Sequence, residues 1–281
     1  MWPRLPSRFS AQALSETRPD AFRPRSAIAA AAVVLVATLG LTGLAPQGER
    51  QIDPKVAALI AALQREPWPR QADAIAALGA LGDPAATRPL AALLKSRAWY
   101  VRDAAVRAIG LLRGEEAIRT LVTALGDEHG LVRQSAREAL VARGEPAVAT
   151  LVPALDSRSE VVRWQAAWIL GRTRTPGTAT ALLDAFQRGS RDVRVESGIG
   201  LVRAGAGAPV DRLTRLLASR EAAVREGAAW VLGRLGSPQA AEPLVLALSD
   251  AESGWMAAVA LGELRAPSAA TPLTAVLRSS S

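Results

Sequence analysis

The side chains best suited to acid–base, nucleophilic or metal chemistry are scarce in this sequence. Its 281 residues include no cysteine and one histidine, His129, which lies in the stretch "DEHG". The lack of thiols excludes disulfides, thiol nucleophiles and zinc–thiolate sites, and one histidine supplies too few ligands for a histidine-rich metal centre. The sequence contains no phosphate-binding loop, nucleophile elbow or metalloprotease motif. We therefore interpret His129 as a loop residue and predict a protein with no catalytic residue, bound cofactor or metal.

Tryptophans are the residues whose spacing suggests binding chemistry. Trp164 and Trp168 lie four residues apart in "VVRWQAAWILG", which places them one turn apart on the same face of a helix. Large apolar side chains on one helix face usually form a core, but Val161, Ala166 and Leu170 supply a different apolar face in the same stretch, which we expect to be the packing face. Which face is buried must be decided from the elements that carry the tryptophans.

Those elements are repeats of about 31 residues that begin near residue 52. Seven aligned positions end the first helix of each unit: Gly79, Gly110, Val141, Gly171, Val202, Gly233 and Gly262. An arginine preceded by valine lies eight residues before five of them: Arg102, Arg133, Arg163, Arg194 and Arg225. Each unit reads as a helix, a tight turn and a second apolar helix, and stacked units of this kind bury a continuous core.

Glycine and proline mark the turn inside each unit. A glycine after the first helix predicts a left-handed stop. Asp83-Pro84 and Ser237-Pro238 predict an N-cap followed by a proline in the first turn of the second helix. Asp53 to Leu63 reads as one more second helix that covers the first complete unit.

The unit resembles HEAT repeats of the short, phycobilin-lyase-like bacterial type. Asp103 to Leu125 and Arg220 to Leu248 match that pattern closely, and the resemblance covers about residues 52–278. It implies an all-α fold, an α-α superhelix of about seven helix pairs, which the sequence precedes with an amino-terminal hydrophobic helix. HEAT folds host many functions, so the resemblance by itself implies no activity.

Three kinds of HEAT-like protein act on substrates or cofactors. Deoxyhypusine hydroxylases hold a di-iron centre with several His-Glu pairs, which this sequence lacks. HEAT-like DNA glycosylases use aromatic, acidic and basic residues in a groove. Those roles could be cast onto five residues here: Trp164, Trp168, Trp230, Asp192 and Arg194. Phycobilin lyases need a bilin pocket, for which no marker is evident. The DNA-binding and the tetrapyrrole readings remain as alternatives.

A stripe of positions on the first helices answers the question of the buried face. Counted from each aligned position, residues seven and three places earlier share one helix face. In the second and third units these positions are polar, with Asp103, Arg107, Gln134 and Glu138. Because repeated helices are equivalent, we expect this face to be exposed to solvent in every unit, and we call it the tryptophan stripe.

Elsewhere the tryptophan stripe is apolar, and exposed apolar patches mark partner sites. Trp and Arg are common hot-spot residues. The predicted partner-binding residues are Trp99, Trp164, Trp168, Val195, Ile199, Trp230 and Trp255. Trp68 and Trp99 lie one turn further towards the amino end of their helices. In the alternative interpretation the tryptophans pack between adjacent repeats, or against the terminal segment or a membrane.

The Val-Arg arginines are interpreted as structural. In similar repeats this arginine pairs with an acidic residue of a neighbouring turn. The acidic residues near unit starts are Asp127, Asp156, Asp192, Glu221 and Asp250. The net charge is +8, and the residues after position 50 account for about +5 of it, with 28 basic against 23 acidic groups. This excess is mild, so a nucleic-acid partner is not expected.

The amino-terminal segment suggests export. Residues 1–25 are rich in proline and arginine and are interpreted as a disordered cytoplasmic tail. Residues 26–46 contain the uncharged run Ala27–Ala45, which is long enough for a transmembrane signal anchor. A cleaved signal peptide, which would leave a secreted or periplasmic protein, and a buried soluble helix are the alternatives. Arginines before the run predict that the solenoid, residues 52–281, lies outside the cytoplasm.

These observations together predict a non-catalytic scaffold or adaptor. Its partner is expected to be a protein, bound along the tryptophan stripe, with no small-molecule substrate.

Overall fold

A computed structural model of the chain describes residues 52–279 except 174, 176, 266, 268 and 269. Every regular element of this part is helical, which confirms the predicted all-α fold. In chain order the α-helices are α1 (Pro54–Arg65), α2 (Arg70–Leu81), α3 (Thr87–Ala92), α4 (Trp99–Leu111), α5 (Glu115–Ala124), α6 (Gly130–Arg143), α7 (Glu145–Ala154), α8 (Glu160–Thr173), α9 (Thr178–Arg188), α10 (Arg191–Ala204), α11 (Val210–Leu216), α12 (Ala222–Leu235), α13 (Ala241–Ala247), α14 (Gly254–Leu264) and α15 (Ala270–Ser279).

The helices alternate between two rows. The seven even-numbered helices, α2 to α14, carry the aligned positions and form the even row, while the odd-numbered helices form the odd row. Neighbouring helices of the even row pack more extensively on one another than neighbouring helices of the odd row do. Fully buried leucines of both rows, such as Leu140, Leu151 and Leu170, form the core between them. This stacking is the predicted solenoid of about seven helix pairs.

The turns inside the units follow from glycine and aspartate. Gly82 and Gly236 end α2 and α12 with φ angles of 69° and 66°, which an L side chain would strain. The Asp83 carboxylate accepts a hydrogen bond from the Ala85 backbone N–H at 2.9 Å, as expected of an N-cap. Ser237 occupies the N-cap position before Pro238 as predicted, but its side chain accepts no capping hydrogen bond. Both Pro84 and Pro238 begin a short 3-10 turn that leads into the second helix.

The packing face of α8 agrees with the sequence pattern except at one position. Ala166, Ile169 and Leu170 are fully buried, and two of these belong to the predicted packing face. Val161 was also expected to pack, but it is exposed, and Val162 is buried instead. A one-residue step turns a helical side chain by about 100°, so only one of the two valines can face the core.

The expectation of a single-pass membrane anchor is corrected by the structure. No helix in the described part of the chain is both long and apolar enough to cross a membrane. The longest helices there have 14 residues, or about 21 Å, against a hydrocarbon core of about 30 Å. The run Ala27–Ala45, the hydrophobic helix expected there and the tail before it lie outside the described residues. The anchored location and the export of the solenoid are therefore not supported.

Candidate functional site

The tryptophan stripe is exposed at its two ends and more covered in the middle. Trp99 is 39% exposed and Trp255 is 54% exposed, with Val259 beside Trp255 on α14 also exposed. In the middle of the stripe four of the predicted residues are half-buried: Trp164, Trp168, Val195 and Ile199. The stripe is thus accessible over most of its length, but not evenly.

Trp230 departs from the expected exposure, since only 7% of its surface is accessible. Asp103 departs too and is 6% exposed, because it accepts a hydrogen bond from the Ser135 hydroxyl at 2.6 Å and pairs with Arg107 at 2.8 Å. A charged residue in one unit is therefore no guarantee of exposure in the others. Burial at a given register depends on the neighbouring units, which are not identical.

Spacing between even-row helices is set by the residue at the aligned position. A Cβ atom built on Gly171 would lie 2.7 Å from the Cα atom of Gly200, and one built on Gly233 would lie equally close to the Cα atom of Ala260. The aligned position of one unit thus faces the position two residues before the aligned position of the next. Where both are small, the two helices come into close contact.

Two junctions of the even row lack this small pair. At the junction of α6 with α8 the equivalent positions hold Val141 and Ile169, and at the junction of α10 with α12 they hold Val202 and Val231. These junctions have the least extensive packing among even-row neighbours. The junction between α6 and α8, which has the less extensive packing of the two, lies beside Trp168 of α8.

Polar side chains bridge the junction between α6 and α8. Gln165 of α8 is fully buried and donates a hydrogen bond to the Leu125 carbonyl at 3.1 Å. Its Oε1 accepts a hydrogen bond from Arg137 of α6 at 3.3 Å. The Arg137 guanidinium also lies over the Trp168 ring, 4.7 Å from the ring centroid. Arg137 therefore ties α6 to α8 and places a positive charge on the tryptophan.

A second arginine covers Trp168 from within α8. The Arg172 guanidinium lies 3.4 Å from the centroid of the Trp168 ring, a cation–π contact between residues four apart on one helix. Burial, and then the nearby charge of Arg203, lower the pKa of Arg172 to about 10. Burial raises the pKa of Glu196 on α10 above its ordinary value, against the opposing charges of Arg172 and Arg203. We call these four residues with Arg137 the arginine–tryptophan cluster.

The arginine–tryptophan cluster was not predicted from the sequence, apart from Trp168. The four-residue spacing of Trp168 and Arg172 was a usable signal for the contact within α8. Nothing in the sequence pattern brings Arg137 of α6, or Glu196 and Arg203 of α10, to Trp168, because these three residues lie on helices other than α8. The close approach of α8 to α10 at Gly171 and Gly200 places the ends that carry Arg172 and Arg203 side by side.

A row of aromatic rings lines the amino-terminal ends of α2, α4 and α6. The Tyr100 ring lies 4.9 Å from that of Trp68 and 6.0 Å from that of Trp99, edge to face in both cases. The His129 ring stacks on Trp99 at 4.3 Å with an interplanar angle of 7°. His129 is the residue that directly precedes α6, and its Nδ1 is buried without a hydrogen-bond partner among the described residues. Its ring is thus a packing surface for Trp99.

The Val-Arg arginines form a ladder in three of the five units, as the sequence predicts. The pairs that join one unit to the next are Arg102 to Asp127 at 2.8 Å, Arg194 to Glu221 at 3.0 Å and Arg225 to Asp250 at 3.1 Å. Hydrogen bonds from the backbone and hydroxyl of Ser253, and then from Arg225, lower the pKa of Asp250 to about 2. Arg133 and Arg163 instead donate to backbone carbonyls of their own preceding turns. Asp156 pairs with Arg188 of α9.

The described residues hold no group of three or more histidine, aspartate or glutamate side chains arranged to bind a metal ion. The tryptophan stripe and the arginine–tryptophan cluster present aromatic rings and guanidinium groups.

Comparison with known proteins identifies the repeats. The family described as HEAT repeats matches residues 56–141, 138–201, 189–254 and 210–281, which confirms the resemblance found in the sequence. A search of curated protein sequences finds no match.

Solved structures that are similar to this chain include two proteins of named activity. Human deoxyhypusine hydroxylase in complex with glycerol is 22% identical over 80% of this chain and 93% of its own, with a TM-score of 0.36. The complex of CpcE and CpcF of phycocyanin lyase from Nostoc sp. PCC7120 is 20% identical over 85% of this chain and 97% of that chain, with a TM-score of 0.36. An engineered protein is 20% identical over 80% of this chain and 72% of that chain, with a TM-score of 0.37. At this identity the likeness concerns the fold alone.

Proposed function

Because this chain belongs to the HEAT-repeat family, we propose that it is a non-catalytic scaffold or adaptor that binds a protein partner along the tryptophan stripe. Solenoids of stacked repeats present extended surfaces of this kind, since each repeat adds one more helix to the same face. The proposal needs no cofactor and no small-molecule substrate.

One observation carries the proposal: large apolar side chains remain exposed on the same predicted helix face of helices far apart in the array. Trp99 on α4 and Trp255 with Val259 on α14 are exposed, and Val195 and Ile199 on α10 are half-buried between them. Exposed tryptophan is unfavourable in water unless a partner covers it, and aromatic side chains of this size dominate the binding energy of many interfaces. The odd row offers no comparable run of tryptophans, because the six tryptophans in the described part of the chain lie outside its helices.

Site-specific photo-crosslinking tests the proposal in the native host. A photoreactive phenylalanine derivative replaces Trp99 or Trp255 in the full chain, and matched controls carry it at Ala149 or Gln187, exposed positions of α7 and α9. We expect a discrete protein adduct from the two stripe positions and none from the odd-row positions. Adducts that form only from the odd row, or equally from both rows, would contradict binding along the tryptophan stripe.

A further inference from the structure

We propose that the arginine–tryptophan cluster binds the carboxylate of a single acidic residue in a short segment of the protein partner. This inference rests on the proposed function, because it assigns a partner chemistry to the middle of the same surface. It concerns Arg137, Trp168, Arg172, Glu196 and Arg203, of which only Trp168 belongs to the tryptophan stripe.

Arg172 is the residue prepared to receive the carboxylate. Its guanidinium carbon lies over the Trp168 ring, 3.4 Å from the ring centroid, and within the described part of the chain the guanidinium makes no hydrogen bond or ion pair. Stacking engages the face of a guanidinium but leaves the N–H donors in its plane available. Those donors match the two oxygens of a carboxylate, which can form two parallel charge-assisted hydrogen bonds with them.

The charge balance of the cluster favours an anion. Three guanidinium groups, those of Arg137, Arg172 and Arg203, act on Glu196, and Glu196 forms no ion pair within 4.0 Å in the described part of the chain. Asp192 also acts on Glu196, so three guanidinium groups face two carboxylates and the local excess is one positive charge. Arg172 is half-buried, which strengthens the attraction between its guanidinium and an anion relative to a fully hydrated surface.

The flanking charges limit the size of the anion. On α6 the stripe continues with Glu138, and on α12 it continues with Glu226. A nucleic-acid backbone brings a phosphate every few ångströms and needs basic residues along its whole path, so these two carboxylates would repel it. One carboxylate placed between them meets the three arginines, with Glu196 as the opposing charge within the cluster, which favours a protein segment with a single aspartate or glutamate.

The neighbouring side chains define the rest of that segment. Trp164, Val195 and Ile199 are half-buried next to the cluster along the stripe. Apolar side chains on either side of the acidic residue would cover them, and such coverage would exclude water from the charge-assisted hydrogen bonds. The partner segment is therefore acidic at one position and apolar at the neighbouring ones.

A pair of synthetic peptides tests this inference on the full chain. The probe is a capped nine-residue peptide with one glutamate between leucines and serines at its ends, and the matched peptide carries glutamine instead. Dissociation constants are measured by titration while the NMR signal of the Trp168 indole N–H is followed, with that signal assigned through Trp168→Phe. We expect the glutamate peptide to bind at least about tenfold more tightly, as hydrogen bonds to charged groups contribute that much.

Variants locate the effect. Arg172→Met should bring the ratio of the two dissociation constants to about one, and Glu196→Gln should raise it about threefold or more by removing a like charge. Arg191→Met is the control, since Arg191 is exposed on the same helix as Arg203 and lies about 18 Å from it along α10. Thermal melts of each variant confirm that it is folded. Because Glu196→Gln is a gain of binding, loss of folding cannot produce the expected pattern.

Three results would overturn the inference. If the glutamate peptide binds no more tightly than the glutamine peptide, the cluster does not recognise a carboxylate. A ratio unchanged by Arg172→Met moves the site elsewhere. Tighter binding of inorganic phosphate or of a single-stranded oligonucleotide at the same arginines makes it a phosphate site. Each of these leaves the photo-crosslinks at Trp99 and Trp255 unaffected, so failure here is distinguishable from failure of the proposed scaffold function.

Discussion

Gly171 of α8 lies against Gly200 of α10 so closely that a Cβ atom on Gly171 would stand 2.7 Å from the Cα atom of Gly200. Small residues at both positions allow two helix backbones to meet in this way, since a larger side chain on either one would separate them. This contact brings Arg172, the residue after Gly171, next to Arg203 on the facing helix, where the two like charges affect each other. The geometry of the arginine–tryptophan cluster thus begins with a pair of residues that have no side chains.

We expect Gly171→Ala to destabilise the protein and Gly262→Ala to stabilise it. Both glycines occupy the aligned position of a helix, but a Cβ atom on Gly262 meets nothing within 4 Å. Alanine gains about 1 kcal/mol over glycine in a helix, whereas overpacking at Gly171 costs about 1–3 kcal/mol. Urea unfolding of the two variants should give free energies of unfolding that move in opposite directions. A gain in both would mean that the junction of α8 with α10 opens without cost.

Arg102→Met should lower the free energy of unfolding by about 3–5 kcal/mol, because it leaves Asp127 buried without its partner. The Arg102 and Asp127 side chains are 5% and 11% exposed and share two hydrogen bonds of 2.8 and 2.9 Å. The control is Arg119→Met, since Arg119 and Glu115 form an exposed pair worth about 0.5 kcal/mol. The double variant Arg102→Met with Asp127→Asn should recover part of the loss. If Arg102→Met and Arg119→Met lower the free energy of unfolding by similar amounts, the arginine ladder is not a main source of stability.

Acid should destabilise the carboxyl-terminal units through Asp250. Its pKa is lowered from 3.8 to about 2 in the folded protein. A lowered pKa means that the stabilising contribution is complete above about pH 4 and is lost as the pH falls towards 2. Asp250→Asn removes this contribution, so the variant should be less stable at neutral pH and its stability should fall less steeply between pH 4 and 2. Urea unfolding at a series of pH values measures this, and an unchanged slope would show that Asp250 is not responsible.

Trp230→Ala and Trp255→Ala should differ sharply in stability although both residues lie on the tryptophan stripe. Trp230 is 7% exposed and Trp255 is 54% exposed. Truncation of a buried tryptophan costs about 3–5 kcal/mol, while an exposed substitution changes stability by about 0.5 kcal/mol or less. Thermal and urea unfolding compare the two variants. Comparable losses would restore the equivalence of units that the sequence suggests.

The repeat, the helices and the arginine ladder could all be predicted from the sequence. Apolar residues at helical spacing and glycines at helix ends act within one unit, so a repeated pattern states them several times over. The pairing of Arg102 with Asp127 was also foreseeable, because an arginine after valine recurs in five units and acidic residues recur near the starts of the units. These features depend on local conformation and on nearest neighbours only.

The exposure of individual stripe positions and the assembly of the arginine–tryptophan cluster were decided by the tertiary structure. Trp230 and Asp103 are buried although the pattern places them with exposed residues, because burial at one helix depends on how closely the next one packs. That distance changes from junction to junction, with Gly171 against Gly200 at one and Val141 with Ile169 at the equivalent positions of another. Arg137 and Arg172 therefore converge on Trp168 from two helices, an arrangement fixed by side-chain volumes at the junctions and not by the repeat itself.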